Sequence, residues 1–189
     1  YGMVRMHHFS VSPQTYCLLG TGNVFPELYG CSRPGCPNQR RLRKHGFYWR
    51  WVITLKSQHR VPIQRYLCQR CHLTTSLLPT FAAPYWQFSL AVVVSILQGL
   101  HQCELSIHSV ALRWQGLGHS VGLSRQWIQH MRKRLRRHSR PCALLMGIDE
   151  EDLPNLEKIL LTHLPDFGGV EGFSHAYFTR WTQPILCRI

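Results

Sequence analysis

The sequence predicts an α+β fold: a small four-cysteine β-ribbon followed by a helix-turn-helix-like helical domain. Three observations carry this expectation. Two closely spaced cysteine pairs bracket a β-prone stretch, apolar-periodic segments follow it, and the last of those segments is strongly basic. The 189 residues suffice for one ordinary domain or two small modules. Hydrophobic residues make up 44% and charged residues 16%, which supports a buried core and excludes broad disorder. Composition divides the chain into an N-terminal segment over 1–27, the ribbon over 28–78, the helical domain over 79–140 and an acidic C-terminal segment over 141–189.

The ribbon rests on Cys31-x4-Cys36 and, after 31 intervening residues, Cys68-x2-Cys71. Each pair suits a tight turn that presents two thiolates, and Pro34, Gly35 and Pro37 supply turn chemistry around the first. Between the pairs, Phe47 to Leu55 and Val61 to Leu67 are rich in aromatic and β-branched residues and read as strands returning to the site. Four thiolates at this spacing suit a tetrahedral Zn2+ site closed to water, so the expected role of Cys31, Cys36, Cys68 and Cys71 is structural. The stabilisation is on the order of 10 kcal/mol in small zinc peptides. Disulfides are the main alternative, and His72 or His45 could replace one thiolate. Cys17, Cys103, Cys142 and Cys187 lack partner spacing and read as small buried or bystander thiols; His7-His8 could bind metal but reads first as an incidental polar pair.

Residues 73–84 read as a linker closed by Pro79 and Pro84. A helix is expected from Phe88 or Ser89, with Leu90, Val93, Val94, Leu97 and Leu100 along one face. A second is expected over Glu104 to Trp114, with Ile107, Val110, Ala111 and Trp114 inward. Gly116, Gly118 and Gly122 punctuate a turn over roughly 115–123, longer than a tight helix-turn-helix allows. Ser124 is a good N-cap for a third helix, SRQWIQHMRKRLRRH. In it Trp127, Ile128, Met131 and Leu135 form one apolar stripe, while Arg125, Gln126, Gln129, Arg132, Lys133 and Arg136 project elsewhere. Such a helix suits base-edge contact from its first turn and phosphate contact from its basic tail.

Charge is unevenly placed. Lys and Arg total 22, of which 18 are Arg, against 9 Asp and Glu. Arginine suits bidentate contact with phosphate or guanine edges. Residues 28–148 hold 18 basic residues against the single carboxylate of Glu104, so their arginines are expected to face water or an external anion. Arg40, Arg41, Arg43 and Lys44 form a second basic cluster beside Phe47, Tyr48 and Trp49, suited to contact with a phosphate backbone. This composition argues against an acidic, calcium-binding or secreted mini-protein. The most apolar run, Phe88 to Leu100, is 13 residues, short of the roughly 20 of a membrane-spanning helix. Without an apparent signal peptide, a reducing cytoplasmic setting is expected.

Residues 149–171 hold Asp149, Glu150, Glu151, Asp152, Glu157, Asp166 and Glu171. Asp152-Leu153-Pro154 reads as an acidic first turn opening the helix NLEKILLTHL. The segment around Phe167 and Phe173 to Trp181 reads as a partner-binding or dimerising piece, or the remnant of a longer chain.

The run Arg65-Tyr66-x-Cys68-x2-Cys71-x5-Leu77-Leu78-Pro79, then Pro84-Tyr85 and Ser89-Leu90, resembles the N-terminal region of bacterial transposase-like proteins. These are insertion-sequence transposases and a related family of unknown function with a zinc ribbon and helix-turn-helix. Arg43-x-His45-Gly46-x-Tyr48-x-Arg50 is similar to the segment that follows the first cysteine pair in such ribbons, and the resemblance covers about residues 30–137. It implies binding of double-stranded DNA at transposon ends or a related promoter, with a homodimer or transposon proteins as further partners.

The acids after residue 140 fall within 23 residues, too close to sit on separate strands of a transposase's catalytic sheet. No Ser-His-Asp order, phosphate-binding glycine loop or HExxH motif is present. A non-catalytic DNA-binding protein with structural zinc is therefore the leading expectation. An RNA-binding zinc-ribbon protein, a basic adaptor for an acidic protein surface and a catalytic nuclease or transposase are the alternatives.

Overall fold

The computed structural model describes residues 3–82, 86–116 and 122–181. Its β half holds β1 (Met3–His7), a short helix α1 (Pro13–Leu19), β2 (Arg43–Ile53), β3 (Gln58–Leu67) and β4 (Thr74–Pro79). The strands form one sheet in the order β1-β4-β3-β2, parallel between β1 and β4 and antiparallel elsewhere.

The β-prone stretches between the cysteine pairs thus form the expected hairpin, β2 and β3, with Tyr48 opposite Ile63 and Trp51 opposite Arg60. Its register shifts between Lys44 and Phe47, where Gly46 takes φ +78°, a left-handed conformation that suits glycine at a bulge. The side-chain amide of buried Gln64 donates to the Gly46 carbonyl at 2.8 Å and fixes the bulge.

Residues 3–27 join the sheet through β1 and share the core of the β2–β3 hairpin. Ser12 caps α1 by accepting from the Thr15 N–H at 3.1 Å, and Pro13 fits the first turn, where its missing N–H has no partner to lose. Tyr16, on α1, is fully buried and donates to the Pro62 carbonyl of β3 at 2.8 Å. It packs edge-on to Phe9, Phe25 and Phe81, beside Val61, Ile63 and Tyr66.

The linker expected over 73–84 is in part a strand. Thr74–Pro79 pairs with β3 on one side and β1 on the other. Thr75, Leu77 and Leu78 are buried, so β-branched and aliphatic side chains outweigh the turn signal of Pro79, which falls at the strand's end. Pro84 and Tyr85 lie outside the described residues.

The helical half holds α2 (Leu90–His101), α3 (Ile107–Gly116), α4 (Arg125–Arg137), α5 (Ser139–Met146), α6 (Leu156–His163) and α7 (Val170–Trp181). Ser89 caps α2 through the Val92 N–H, and Leu90, Val93 and Leu97 are buried as expected, with Val94 and Leu100 half-buried. Val110, Ala111 and Trp114 of α3 also face the core, with Ile107 packed against it. Gly118 lies outside the described residues.

The acidic C-terminal segment completes this core rather than standing apart from it. Cys142, Leu156, Leu160, Leu161, Leu164, Phe173 and Tyr177 join the cluster built on α2, α3 and α4. The helix expected from Asp152-Leu153-Pro154 starts later. Glu150–Asn155 is a tight 3-10 turn that contains Pro154, and α6 opens at Leu156. Proline removes one donor, which a short 3-10 turn tolerates.

The halves meet around Trp86. The Ile53 N–H donates to the Gln87 carbonyl at 2.6 Å, and the Ser89 N–H returns a bond to Ile53 at 2.8 Å. The Trp86 ring packs on Trp127 of α4 at 5.2 Å, and its carbonyl accepts from the Arg50 guanidinium.

Candidate metal centre and basic helix

The two cysteine pairs converge as their spacing predicts. Cys31, Cys36, Cys68 and Cys71 form a group whose sulfurs all lie within 4.8 Å of one another, a site that can hold a metal ion. The Cys31 and Cys71 sulfurs are 3.5 Å apart, and those of Cys36 and Cys68 are 3.9 Å apart. A tetrahedral four-sulfur site with bonds near 2.3 Å has edges of about 3.8 Å, so these separations fit it. Among the described residues no histidine joins this group.

Local turns aim the thiols inward. At the first pair, the Cys36 N–H donates to the Arg33 carbonyl at 3.1 Å around Gly35, which takes φ +76°. At the second pair, the His72 N–H donates to the Cys68 carbonyl at 2.8 Å, and the Cys68 N–H to Leu73 at 2.9 Å. His72 turns left-handed there, at φ +56°, which closes the loop behind Cys71. The Cys31 N–H, bonded to the Asn38 carbonyl at 2.8 Å, ties the first loop to itself.

The sulfurs sit in unequal fields. Burial pushes the Cys31 thiol up to about 12; the Arg33 N–H works against this, and the sulfurs of Cys71, Cys36 and Cys68 add to it. At Cys68 burial also opposes ionisation, but the N–H groups of Cys71 and Arg70 and the Asn38 amide outweigh it, bringing the thiol down to about 6. Donors already aimed at one sulfur favour the thiolate that metal binding requires. Asn38 was absent from the sequence-based site, and its place two residues after Cys36 was its only signal.

The remaining described cysteines lie apart from this group. Cys142 is buried, and burial pushes its thiol up to about 12, the behaviour of an inert core thiol. Cys17 donates to the Arg60 carbonyl at 3.3 Å, Cys103 is exposed, and Cys187 lies outside the described residues.

The basic helix forms where expected. The Ser124 hydroxyl accepts from the Trp127 N–H at 3.1 Å, and Ile128, Met131 and Leu135 are buried. Burial of each such side chain contributes about 1.5–3 kcal/mol. Trp127 is half-buried against Phe88 and Trp86. Arg125, Gln126, Gln129 and Lys133 are exposed on the opposite side. Arg134 joins the buried face, its guanidinium 4.7 Å above the Trp86 ring.

Arg41, Arg132 and Arg136 have an internal anion, contrary to the expectation that the arginines of residues 28–148 face water or an external one. Glu157 of α6 is buried. Its carboxylate accepts from Arg132 Nε at 2.7 and 3.0 Å, lies 2.7 Å from His101 Nε2 and pairs with Arg136 Nε at 3.3 Å. The acidic segment supplies this partner because α6 packs beside α2 and α5 packs between α4 and α7. A carboxylate one residue after Leu156 and three before Leu160, on an otherwise apolar helix face, was the available sequence signal. In the ribbon cluster Arg40, Arg41, Arg43 and Lys44 are all exposed, and Arg41 pairs with Glu27 at 2.8 Å.

Among the described residues no helix is long and apolar enough to cross a membrane. No curated protein and no solved structure matches the chain. Residues 34–114, which hold Cys36, Cys68 and Cys71 together with the sheet's β2 to β4, helix α2 and α3 as far as Trp114, match the family described as a domain of unknown function (DUF6431).

Proposed function

We propose that this protein is a non-catalytic, transposase-like binder of double-stranded DNA whose β half is held by one structural zinc ion. The observation that carries the reading is the solvent face of α4. Above a buried stripe, Arg125, Gln126, Gln129 and Lys133 stand in a row that begins at a side-chain-capped N-terminus. Donors and amides in a first turn can reach base edges, and cations one and two turns on can hold phosphates. Arg132 and Arg136 are oriented by Glu157 and play a smaller part in this contact, while Arg40, Arg43 and Lys44 add phosphate contacts from the ribbon.

The four-sulfur group supports zinc, because a soft, tetrahedral, all-thiolate donor set favours that metal and leaves no position for a reacting water. A non-catalytic role is supported by Glu157, the buried carboxylate, being engaged with three basic side chains. The cytoplasm suits such a site, since thiolates stay reduced there. Selection of bound sequences from a randomised duplex pool tests the reading. Enrichment of one motif by the native chain, lost in Gln126→Ala, is the expected outcome; a pool that stays random contradicts sequence-selective binding.

A further inference from the structure

Four large aromatic side chains stand in solvent on one strand. Phe47, Tyr48, Trp49 and Trp51 of β2 are between 37% and 48% exposed. β2 is the outer strand of the sheet, and along its outer edge the described pairing comes only at Ile53, where Phe88 bridges to it. A cleft of about 440 Å³ opens from β2 toward β4 and β1, with Val4 and Leu78 in its lining as well as Tyr48, Trp49, Trp51 and Trp86. Volumes of that order hold small planar ligands. The Arg60 guanidinium lies 5.7 Å from the Trp49 ring centre, so a cation already rests on one aromatic face.

Along the chain around this strand the charge is of one sign, and the Glu27 carboxylate near its start is paired with Arg41. Residues 28–103 contain no carboxylate, and Arg43, Lys44, Lys56 and Arg60 border the aromatic run. A second copy laid along the same edge would set these cations against themselves. Exposed indole and phenol rings among cations suit a partner that offers planar apolar faces joined by anions, which describes unpaired nucleotides. A duplex keeps its base faces stacked and cannot offer them.

We infer that the β2 edge binds an unpaired DNA strand, with bases stacking on Trp49 and Trp51 and phosphates held by the bordering cations. The choice of DNA rests on the proposed duplex-binding role of α4. Trp86 lines the cleft and also packs on Trp127 of α4, so the two surfaces share one side chain at their junction. The chain then engages duplex through α4 and a frayed or displaced strand through β2.

The test is fluorescence anisotropy of the full zinc-loaded chain on three probes: a single-stranded DNA of about 12 nucleotides, the RNA of the same sequence, and a duplex. Trp51→Ala is expected to weaken single-stranded DNA binding by about tenfold or more while duplex affinity stays within about twofold; Trp51→Phe, which keeps a stacking face, is expected to restore it. Gln126→Ala and Lys133→Ala should do the reverse, so loss of the α4 reading alone shows as absent duplex binding with single-strand binding intact. Circular dichroism and metal content verify that the Trp51 variants fold; Tyr48→Ala gives an independent second variant. Absence of single-stranded DNA binding, equal affinity in native and Trp51→Ala protein, or a clear preference for the RNA probe would each overturn the inference.

Discussion

The Arg132 Nε–H of α4 points at both oxygens of Glu157 of α6, 3.0 and 2.7 Å away. This pair joins the basic helix to the acidic segment through a carboxylate that is buried, and His101 of α2 approaches the same group at 2.7 Å. Removing the charge leaves two cationic partners facing each other in a partly dry site. Glu157→Gln is expected to destabilise the protein by about 3 kcal/mol. Thermal unfolding should show it as a Tm lower by roughly 6–12 °C.

The α4 surface makes a prediction about kinds of loss. Arg125→Ala and Gln126→Ala should reduce discrimination between a preferred duplex and a random one, because first-turn side chains reach base edges. Lys133→Ala should weaken both duplexes alike and reduce the salt slope by about 1. Equal losses on both duplexes in all three variants would remove α4 as the reading element.

Metal content distinguishes the cysteines. Cys68→Ser should lose bound zinc and unfold the β half, since Cys68 is the buried member of the sulfur group. Cys142→Ala should retain one zinc per chain, because Cys142 lies in the helical core. Elemental analysis of the purified variants reads both outcomes.

Tyr16 tests the union of the N-terminal segment with the sheet. Its buried hydroxyl donates to the Pro62 carbonyl, so Tyr16→Phe leaves that acceptor without its partner. A loss of about 1–3 kcal/mol in denaturant unfolding is expected. No change would mean that the segment contributes little to the fold.

Acid should weaken the fold through His7. Burial, then the neighbouring His8 and His175, holds its imidazole below the ordinary value. The folded state therefore favours the neutral ring, and the unfolded chain binds more protons in the window below about pH 6.5. This stabilisation is complete above about pH 6.5 and is lost as the pH falls from there through the lower folded-state value. Burial lowers His59 in the same direction. Urea midpoints at about pH 7.5 and 5.5 should differ less in His7→Gln than in the native chain.

The local chemistry of the sequence carried the cysteine group, the β2–β3 hairpin and the caps at Ser89 and Ser124. Each is set within a few residues: a turn between paired thiols, a β-branched run, a hydroxyl three residues before an unpaired N–H. Long-range pairing was less legible. β4 looked like a linker because Pro79 sits at its end, while its partners β1 and β3 are fixed by burial of Leu77 and Leu78 in a core that no local pattern reveals. The acidic segment looked separate because charge stood out from residue to residue, whereas Leu156, Leu160, Leu161 and Phe173 bind it to the helical core. Glu157 was hidden by the same contrast, since its partners lie 25 and 56 residues away.

The most direct test of the central claim is anisotropy on a duplex across a salt series, with and without a zinc chelator. The expected result is a linear fall of log affinity with log salt, with a slope near −0.9 for each phosphate neutralised. The chelator should weaken binding, because Arg43 and Lys44 lose the frame that the four thiolates hold. Absent binding at low salt, or affinity indifferent to salt, would contradict the DNA-binding account and turn the search to an acidic protein partner.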